Sequence, residues 1–405
     1  MPEAVSSRFL SADTGGSSQH RQAGVQAMKI HMYFLSLLMG LLFICPASMA
    51  LADESTMGRV VKLTGHMKIQ RAKQTTWLTA RRQTEIFFGD TIQTGDDGDA
   101  IIKLVDDSIM RIRANTKVVL NTKISPVEKK NSVLLFFGRL WNQVSKKALR
   151  KKVFEVQTPT AVCGVRGTDF ETAAYEDGTM LVQVKTGEVE IDNEETRETL
   201  AANQGTQVSF EQKEIRVTSD FDPDWERDQE RSRENLLGDG EKYGGYVHDE
   251  IYKRRDHLKK LVDRASDLMA AKQQLKHQAA EAKEAGDTQA YETYLIEIEK
   301  ISQEQKALNK KIAYYGRRLE CHFGLFSHYG DLAKDPEISQ RFKGREYILN
   351  QLDDIESVYA EFNAMIEEGM KMSMEDMEDL MDEMRDKMST FKEKGSKGSL
   401  FEEME

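Results

Sequence analysis

Cysteine, long apolar runs, an excess of positive charge and recognisable catalytic motifs are all missing or scarce here, and each absence removes a class of protein. The 405 residues hold three cysteines. Cys45 lies in a segment expected to be removed, and Cys163 and Cys321 stand far apart, so no disulfide framework staples the fold. A single bridge between them and two separate buried thiols both stay open. The longest apolar run is about 14 residues, short of the ~20 that a membrane-spanning helix requires. Net charge is -11, from 57 Lys and Arg against 68 Asp and Glu. Residues 53–220 are near neutral, with 25 cations and 24 anions, whereas residues 221–405 carry 29 and 42. Phosphate binding needs clustered cations, so nucleic acid is not an expected partner. There is no nucleophile elbow, His-Glu-x-x-His, phosphate-cradling glycine loop or dinucleotide fingerprint. A carboxylate pair of the kind that hydrolyses glycosides stays an alternative, since acidic residues abound. The expectation is a non-enzymatic chain with no catalytic residues, cofactor or metal.

An export signal is present. Lys29 leads into the apolar run from Met32 to Cys45, Pro46 ends it, and Ala50-Leu51-Ala52 offers small residues where a signal peptidase reads. Residues 28–52 therefore read as a cleaved signal peptide. Residues 1–27 read as a disordered leader or a mis-assigned start, with translation beginning at Met28. The mature chain is expected in the periplasm or outside the cell, with no integral membrane segment after cleavage.

Residues 57–218 alternate as strands do. Ile102 and Leu104 flank Lys103; Met180, Val182 and Val184 form one set, and Val189 and Ile191 another. Period two places each set on one sheet face, as in a sandwich. Gly95-Asp96-Asp97-Gly98, Asp106-Asp107, Asp177-Gly178 and Asn193 mark turns. The predicted fold class is multidomain β + α, an all-β sandwich-like domain followed by an α-helical region of coiled-coil type.

Ordered landmarks accompany that alternation: Gly89-Asp90-Thr91-Ile92-Gln93-Thr94-Gly95, the hairpin from Ala100 to Leu120, Gly138-Arg139-Leu140-Trp141, the stretch Val156 to Phe170 with Thr158-Pro159 and Arg166-Gly167-Thr168, and Lys185-Thr186-Gly187-Glu188-Val189. Together they resemble the FecR-like periplasmic domain family over residues 85–192. The resemblance implies a domain that relays occupancy of an outer-membrane transporter to a cytoplasmic sigma factor. That relay uses a cytoplasmic helical domain and a transmembrane helix ahead of the β domain, and here only 27 polar residues precede the signal. The main expectation is thus a binding or scaffold protein whose β domain recognises an envelope component. A signalling component related to the sigma-factor regulators is the alternative, and a carbohydrate-active enzyme the second.

Arg166-Gly167-Thr168 reads as a turn that serves the fold, with Gly167 supplying the backbone freedom. Lys146, Lys147, Arg150, Lys151 and Lys152 form a basic patch. It is a solvated loop, a site for an envelope polysaccharide or other polyanion, or a dock for the acidic helices.

Asp222-Pro223-Asp224 and the glycines from Gly238 to Gly245 read as a flexible linker over 219–246. Residues 247–395 read as long helices, broken at Gly286, with Asp287 capping the second helix and Asp335-Pro336 opening the third. Cys321-His322 and His328 read as an apolar turn between helices, three ligands being too few for a structural zinc. Met370, Met374, Met377, Met381, Met384 and Met388 recur at four-three spacing, which reads as a packed seam rather than a copper site. That seam is the candidate surface for a protein partner or self-association. Residues 396–405 read as a disordered tail.

Overall fold

The computed structural model describes residues 56–72, 74–120, 131–145 and 154–396, with the backbone alone for Asn131, Met370, Met372, Ser373 and 375–396. The stretches read as a leader and a signal peptide, the basic patch from Lys146 to Lys152 and residues 397–405 lie outside the described residues.

The first eight strands are β1 (Thr56–Thr64), β2 (Met67–Gln70), β3 (Trp77–Thr79), β4 (Glu85–Phe87), β5 (Thr91–Thr94), β6 (Asp99–Leu104), β7 (Ile109–Ile112) and β8 (Lys117–Leu120). A long β9 (Asn131–Gln143) follows. Then come β10 (Phe154–Gln157), β11 (Val162–Val165), β12 (Asp169–Ala174), β13 (Met180–Thr186), β14 (Val189–Asp192), β15 (Arg197–Leu200), β16 (Gln204–Val208) and β17 (Thr218–Ser219).

These strands make two layers that share β9. The first layer runs β4-β1-β6-β7-β9-β12-β13-β16-β17 and the second β3-β2-β5-β8-β9-β10-β11-β14-β15. All pairings are antiparallel except β9 with β10. The first half of β9 pairs with β8 and β10, and from Gly138 onward it pairs with β7 and β12. Gly138 sits at the crossing with φ +106, and a Cβ there would come within 2.4 Å of Thr116 Cα. Only glycine fits that bend.

The alternating sets point inward. Ile102, Leu104, Met180, Val182, Val184, Val189 and Ile191 join Val133, Leu135, Leu140 and Cys163 in one core between the layers. The turn residues also do their work: Asp107 has φ 66, Gly178 φ 81, and Asp106 Oδ1 accepts the Ser108 amide at 3.0 Å.

Four helices follow: α1 (Trp225–Gly238), α2 (Gly240–Glu284), α3 (Thr288–Lys334) and α4 (Arg345–Ser396). Asp287 caps α3 by accepting the Ala290 amide at 3.0 Å, and Gly286 turns the chain at φ +73. Arg264 meets Glu304 and His257 packs edge-on against Tyr315, so α2 and α3 run antiparallel. Tyr252 bonds Asp354 and Lys259 pairs with Glu361, which sets α4 parallel to α2. Val247, Ile251, Leu258, Leu319, Phe326, Ile348, Ile355, Val358 and Phe362 fill the space between them.

Three expectations are corrected. The stretch read as a flexible linker is helical from Trp225, because its glycines are contact points: a Cβ on Gly240 would meet the Phe342 ring at 2.2 Å, and one on Gly244 would meet Ile348 Cδ1 at 2.3 Å. The Gly240 amide also donates to Lys343 O at 2.8 Å, which ties that junction to the segment before α4. Asp335-Pro336 does not open α4. Asp335 closes α3 and accepts the amides of Glu337 and Ile338 in a turn, and the helix begins only after Gly344. Cys321, His322 and His328 are not a turn but lie inside α3, a helix continuous to Lys334.

Candidate interdomain docking site

The sequence of β9 reads Val133-Leu134-Leu135-Phe136-Phe137 with no polar break, and all five side chains are buried. Alternation would leave one set in water, so an unbroken run implies cover on both faces. Val133 and Leu135 face the core, whereas Leu134, Phe136, Phe137 and Val119 gather on the outer face with Cys321. The cover is α3. Gly324 lets it approach closely, since a Cβ there would stand 2.5 Å from the Phe136 ring. His328 stacks on Phe137 with ring centroids 3.9 Å apart.

At the centre of the contact is Arg318, 1% exposed. Its Nη1 donates to Thr158 O at 2.9 Å, its Nη2 to Thr160 O at 3.3 Å, and its Nε to Glu194 at 3.2 Å. Both carbonyls belong to the turn that joins β10 to β11, which Thr158 itself tightens through bonds with Ala161. The helical arm is therefore anchored on the backbone of this turn, and Cys321 Sγ adds a contact to Gln157 O at 3.6 Å.

Glu194 receives a second guanidinium, Arg254 Nη2 of α2, at 3.0 Å. It sits in the β14–β15 turn with φ 76, an uncommon conformation for a residue with a Cβ. Asp192 and Asn193 fix that turn by accepting the amides of Glu194, Glu195 and Thr196. Strained backbone of this kind persists where the surroundings over-determine it, and here it offers one carboxylate to two helices. Beside the arginines, His322 donates from Nδ1 to Arg318 O at 2.7 Å. Burial first, and then the charges of Arg254 and Arg318, hold its pKa well below the usual histidine value, so it is neutral.

A second clamp lies at the β12–β13 turn. Burial alone would raise the pKa of Glu176, but His328, 2.7 Å away, and Arg233, 3.3 Å away, hold it below the usual carboxylate value. The Tyr329 hydroxyl donates to Glu176 O, the Asp177 amide to Ser232 Oγ and Asn235 Nδ2 to Asp177. Sandwich, α1 and α3 thus meet through hydrogen-bonded charges. The buried thiols stay apart: Cys163 is inside the sandwich, Cys321 on its outer face, and both are free.

Of the landmarks, Thr158 and Pro159 lie at this docking site. Gly89 (φ +87) and Asp90 shape the entry to β5 instead, with Asp90 Oδ2 accepting the Phe87 amide at 2.9 Å and pairing with Arg71. Gly167 has φ +64, Arg166 is exposed, and Thr168 Oγ1 donates to Glu188 O at 2.8 Å, so this turn braces the sandwich away from the helices. Met374 is 60% exposed in the single chain. The buried stripe of α4 runs through Ile348, Ile355, Val358, Phe362 and Met365, and the methionines fall one or two heptad positions away from its continuation. The side chains of Met370, Met377, Met381, Met384 and Met388 lie outside the described residues. Sequence reasoning missed Glu194, Arg254, Arg318 and Glu176; the unbroken run in β9 was the signal that something covers it.

Among the described residues no group of three His, Cys, Asp or Glu side chains could hold a metal, and no helix is long and apolar enough to cross a membrane. Residues 90–190 match the family described as FecR protein, so the chain carries a FecR domain. Two solved structures of a proposed anti-sigma factor from Parabacteroides distasonis ATCC 8503 are 27% identical, covering 32% of this chain and 59% of that one, with TM-score 0.29. A cell surface anchoring domain is 26% identical over 18% of this chain and 96% of that one, with TM-score 0.16. The chain thus spans less than two thirds of the length of the first of these. No curated protein matches it.

Proposed function

We propose that this chain is an exported, non-enzymatic regulatory protein of the cell envelope, in which the FecR domain and the helical arm act as one signalling unit. The FecR match supports a regulatory role, since that family is the one the sequence landmarks pointed to. The observation that carries the unit is the burial of Arg318 across the Thr158 and Thr160 carbonyls, because it couples the helices to a landmark turn of the FecR domain itself. A change at that turn is felt by α3, and a pull on α3 is felt by the turn.

The distal helices carry the outward contact. Leu295, Ile296 and Met374 are exposed there, and such side chains suit a protein partner. An envelope binding and scaffolding role is compatible with the same surface.

Site-specific photo-crosslinking from Ile296 in the native envelope tests the reading. It predicts one dominant protein adduct, recovered from the exported fraction. Recovery of abundant bulk proteins alone, or retention of the chain in the cytoplasm, would refute it.

A further inference from the structure

The apolar side of α4 changes face along its length. Ile348, Ile355, Val358, Phe362, Met365 and Gly369 are buried, and a Cβ on Gly369 would stand 3.7 Å from Ile312 of α3. On the other side of the same stretch Asp353, Glu356, Ala360, Asn363 and Glu367 are exposed. Past Gly369 the two sides exchange chemistry. The buried spacing continues to Met372, Asp376, Asp379, Glu383 and Asp386. The exposed spacing continues to Met370, Met374, Met377, Met381, Met384 and Met388. The helix runs unbroken to Ser396, so each position keeps its side. At 3.6 residues per turn the methionine positions lie about 150° round the axis from the buried ones. Met374, 60% exposed, agrees with that placement.

An apolar line about 27 Å long is not left in water on a stable protein. Its period identifies what covers it. Steps of four and three average about 3.5 residues, and such a line stays in contact only with a second helix wound round the first.

Charge narrows the choice of helix. The acids Glu375, Asp376, Asp379, Asp382, Glu383 and Asp386 stand off the methionine line, so a basic partner would gain little from them. The bordering positions are Lys371, Ser373, Glu378, Leu380, Arg385 and Lys387. In a parallel pair of identical helices Ser373 meets Glu378 and Leu380 meets Arg385, and the one like pair, Lys387 with Lys392, falls at the far end. An antiparallel pair would set Glu378 against its own copy and Lys371 against Arg385.

We propose that the second half of α4 pairs in parallel with the same segment of a second copy of this chain, methionine line against methionine line. The line lies on the side of α4 away from its own hairpin, so the two hairpins stay outside the pair and both FecR domains lie toward one end. This deepens the regulatory reading by naming the partner of the distal helices, and it rests on that reading.

Sedimentation equilibrium of the purified full chain gives twice the mass of one chain, falling to one on dilution. Met377→Glu with Met381→Glu places four carboxylates in the seam and weakens association about a hundredfold or more. Met377→Leu with Met381→Leu keeps the pair, the change in volume being small. Asn363→Glu, on the same side but ahead of Gly369, leaves the mass unchanged. Cys321 stays slow to react with N-ethylmaleimide in every variant, as it does where α3 remains docked. Met370→Cys oxidises to a disulfide-linked pair, Cys163 and Cys321 being buried. An antiparallel pair would hold position 370 about 27 Å from its copy and would link Met370→Cys only with Met388→Cys. A single-chain mass at every concentration overturns the proposal, as does a pair that survives the two glutamates or links 370 to 388. A chain of single mass that still gives one dominant adduct from Ile296 strikes the second copy and leaves the regulatory reading standing. Retention of the chain in the cytoplasm strikes that reading instead.

Discussion

Replacing Arg318 by alanine strips donors from two buried carbonyls at once. Thr158 is fully buried and Thr160 is 8% exposed, so neither oxygen gains water easily when the guanidinium goes. A buried acceptor left without a partner costs about 1–3 kcal/mol. Glu194 loses one of its two arginines but keeps Arg254, which limits its share. The sum is about 3–5 kcal/mol, the range seen when one member of a buried charged network is removed. Arg318 lies outside the core between the two layers, so the loss falls on docking before it falls on the sandwich. The two thiols separate these events, because Cys321 sits under α3 and Cys163 inside the sandwich. Arg318→Ala should raise the Cys321 alkylation rate by about a hundredfold or more, each 1.4 kcal/mol being a factor of ten. Cys163 should stay slow in the same sample. A double-mutant cycle with Glu194→Gln, read from urea midpoints, isolates the Arg318–Glu194 part. An unchanged Cys321 rate together with a loss under about 1 kcal/mol would refute the reasoning.

Other substitutions and conditions probe the same architecture. Gly138→Ala should cost about 3 kcal/mol or more, because strained backbone and the Thr116 clash add; a urea midpoint equal to that of the natural chain would count against the bend. Gly324→Ala pushes a Cβ into the Phe136 ring and should speed Cys321 labelling without touching Cys163, while parallel acceleration of both thiols would place the strain elsewhere. His322 is neutral when folded and has its pKa lowered from 6.5, chiefly by burial and then by Arg254 and Arg318. Its contribution is therefore complete above pH 6.5 and is lost as pH falls below it. At pH 5.5 the loss should be on the order of 1 kcal/mol, absent in His322→Gln, and identical pH dependence of the two proteins would dismiss this histidine as the source.

Local pattern revealed the sandwich but little of the join. Met180, Val182 and Val184 alternate, so their facing could be read directly, and Asp287 announced its cap in the same way. Gly240 and Gly244 misled, because glycine signals freedom in an isolated chain and close approach when an aromatic ring fills the space. Cys321 and His322 looked like a turn since apolar residues surround them on every side of the helix; that is what a helix buried on two sides must look like. Glu194 was out of reach entirely. Its partners lie 60 and 124 positions away, and no spacing rule links an acid in a hairpin to arginines on two distant helices.

Because a single thirteen-residue strand serves both layers, β9 acts mechanically as a tie-rod. Load arriving from α3 enters along its first half and must leave through its second half on the opposite layer, past the kink at Gly138. Neither layer can then peel away bond by bond, since tension along β9 stretches both ladders in shear at the same time. A protein stitched in this way stays whole under a steady tug and passes the displacement onward.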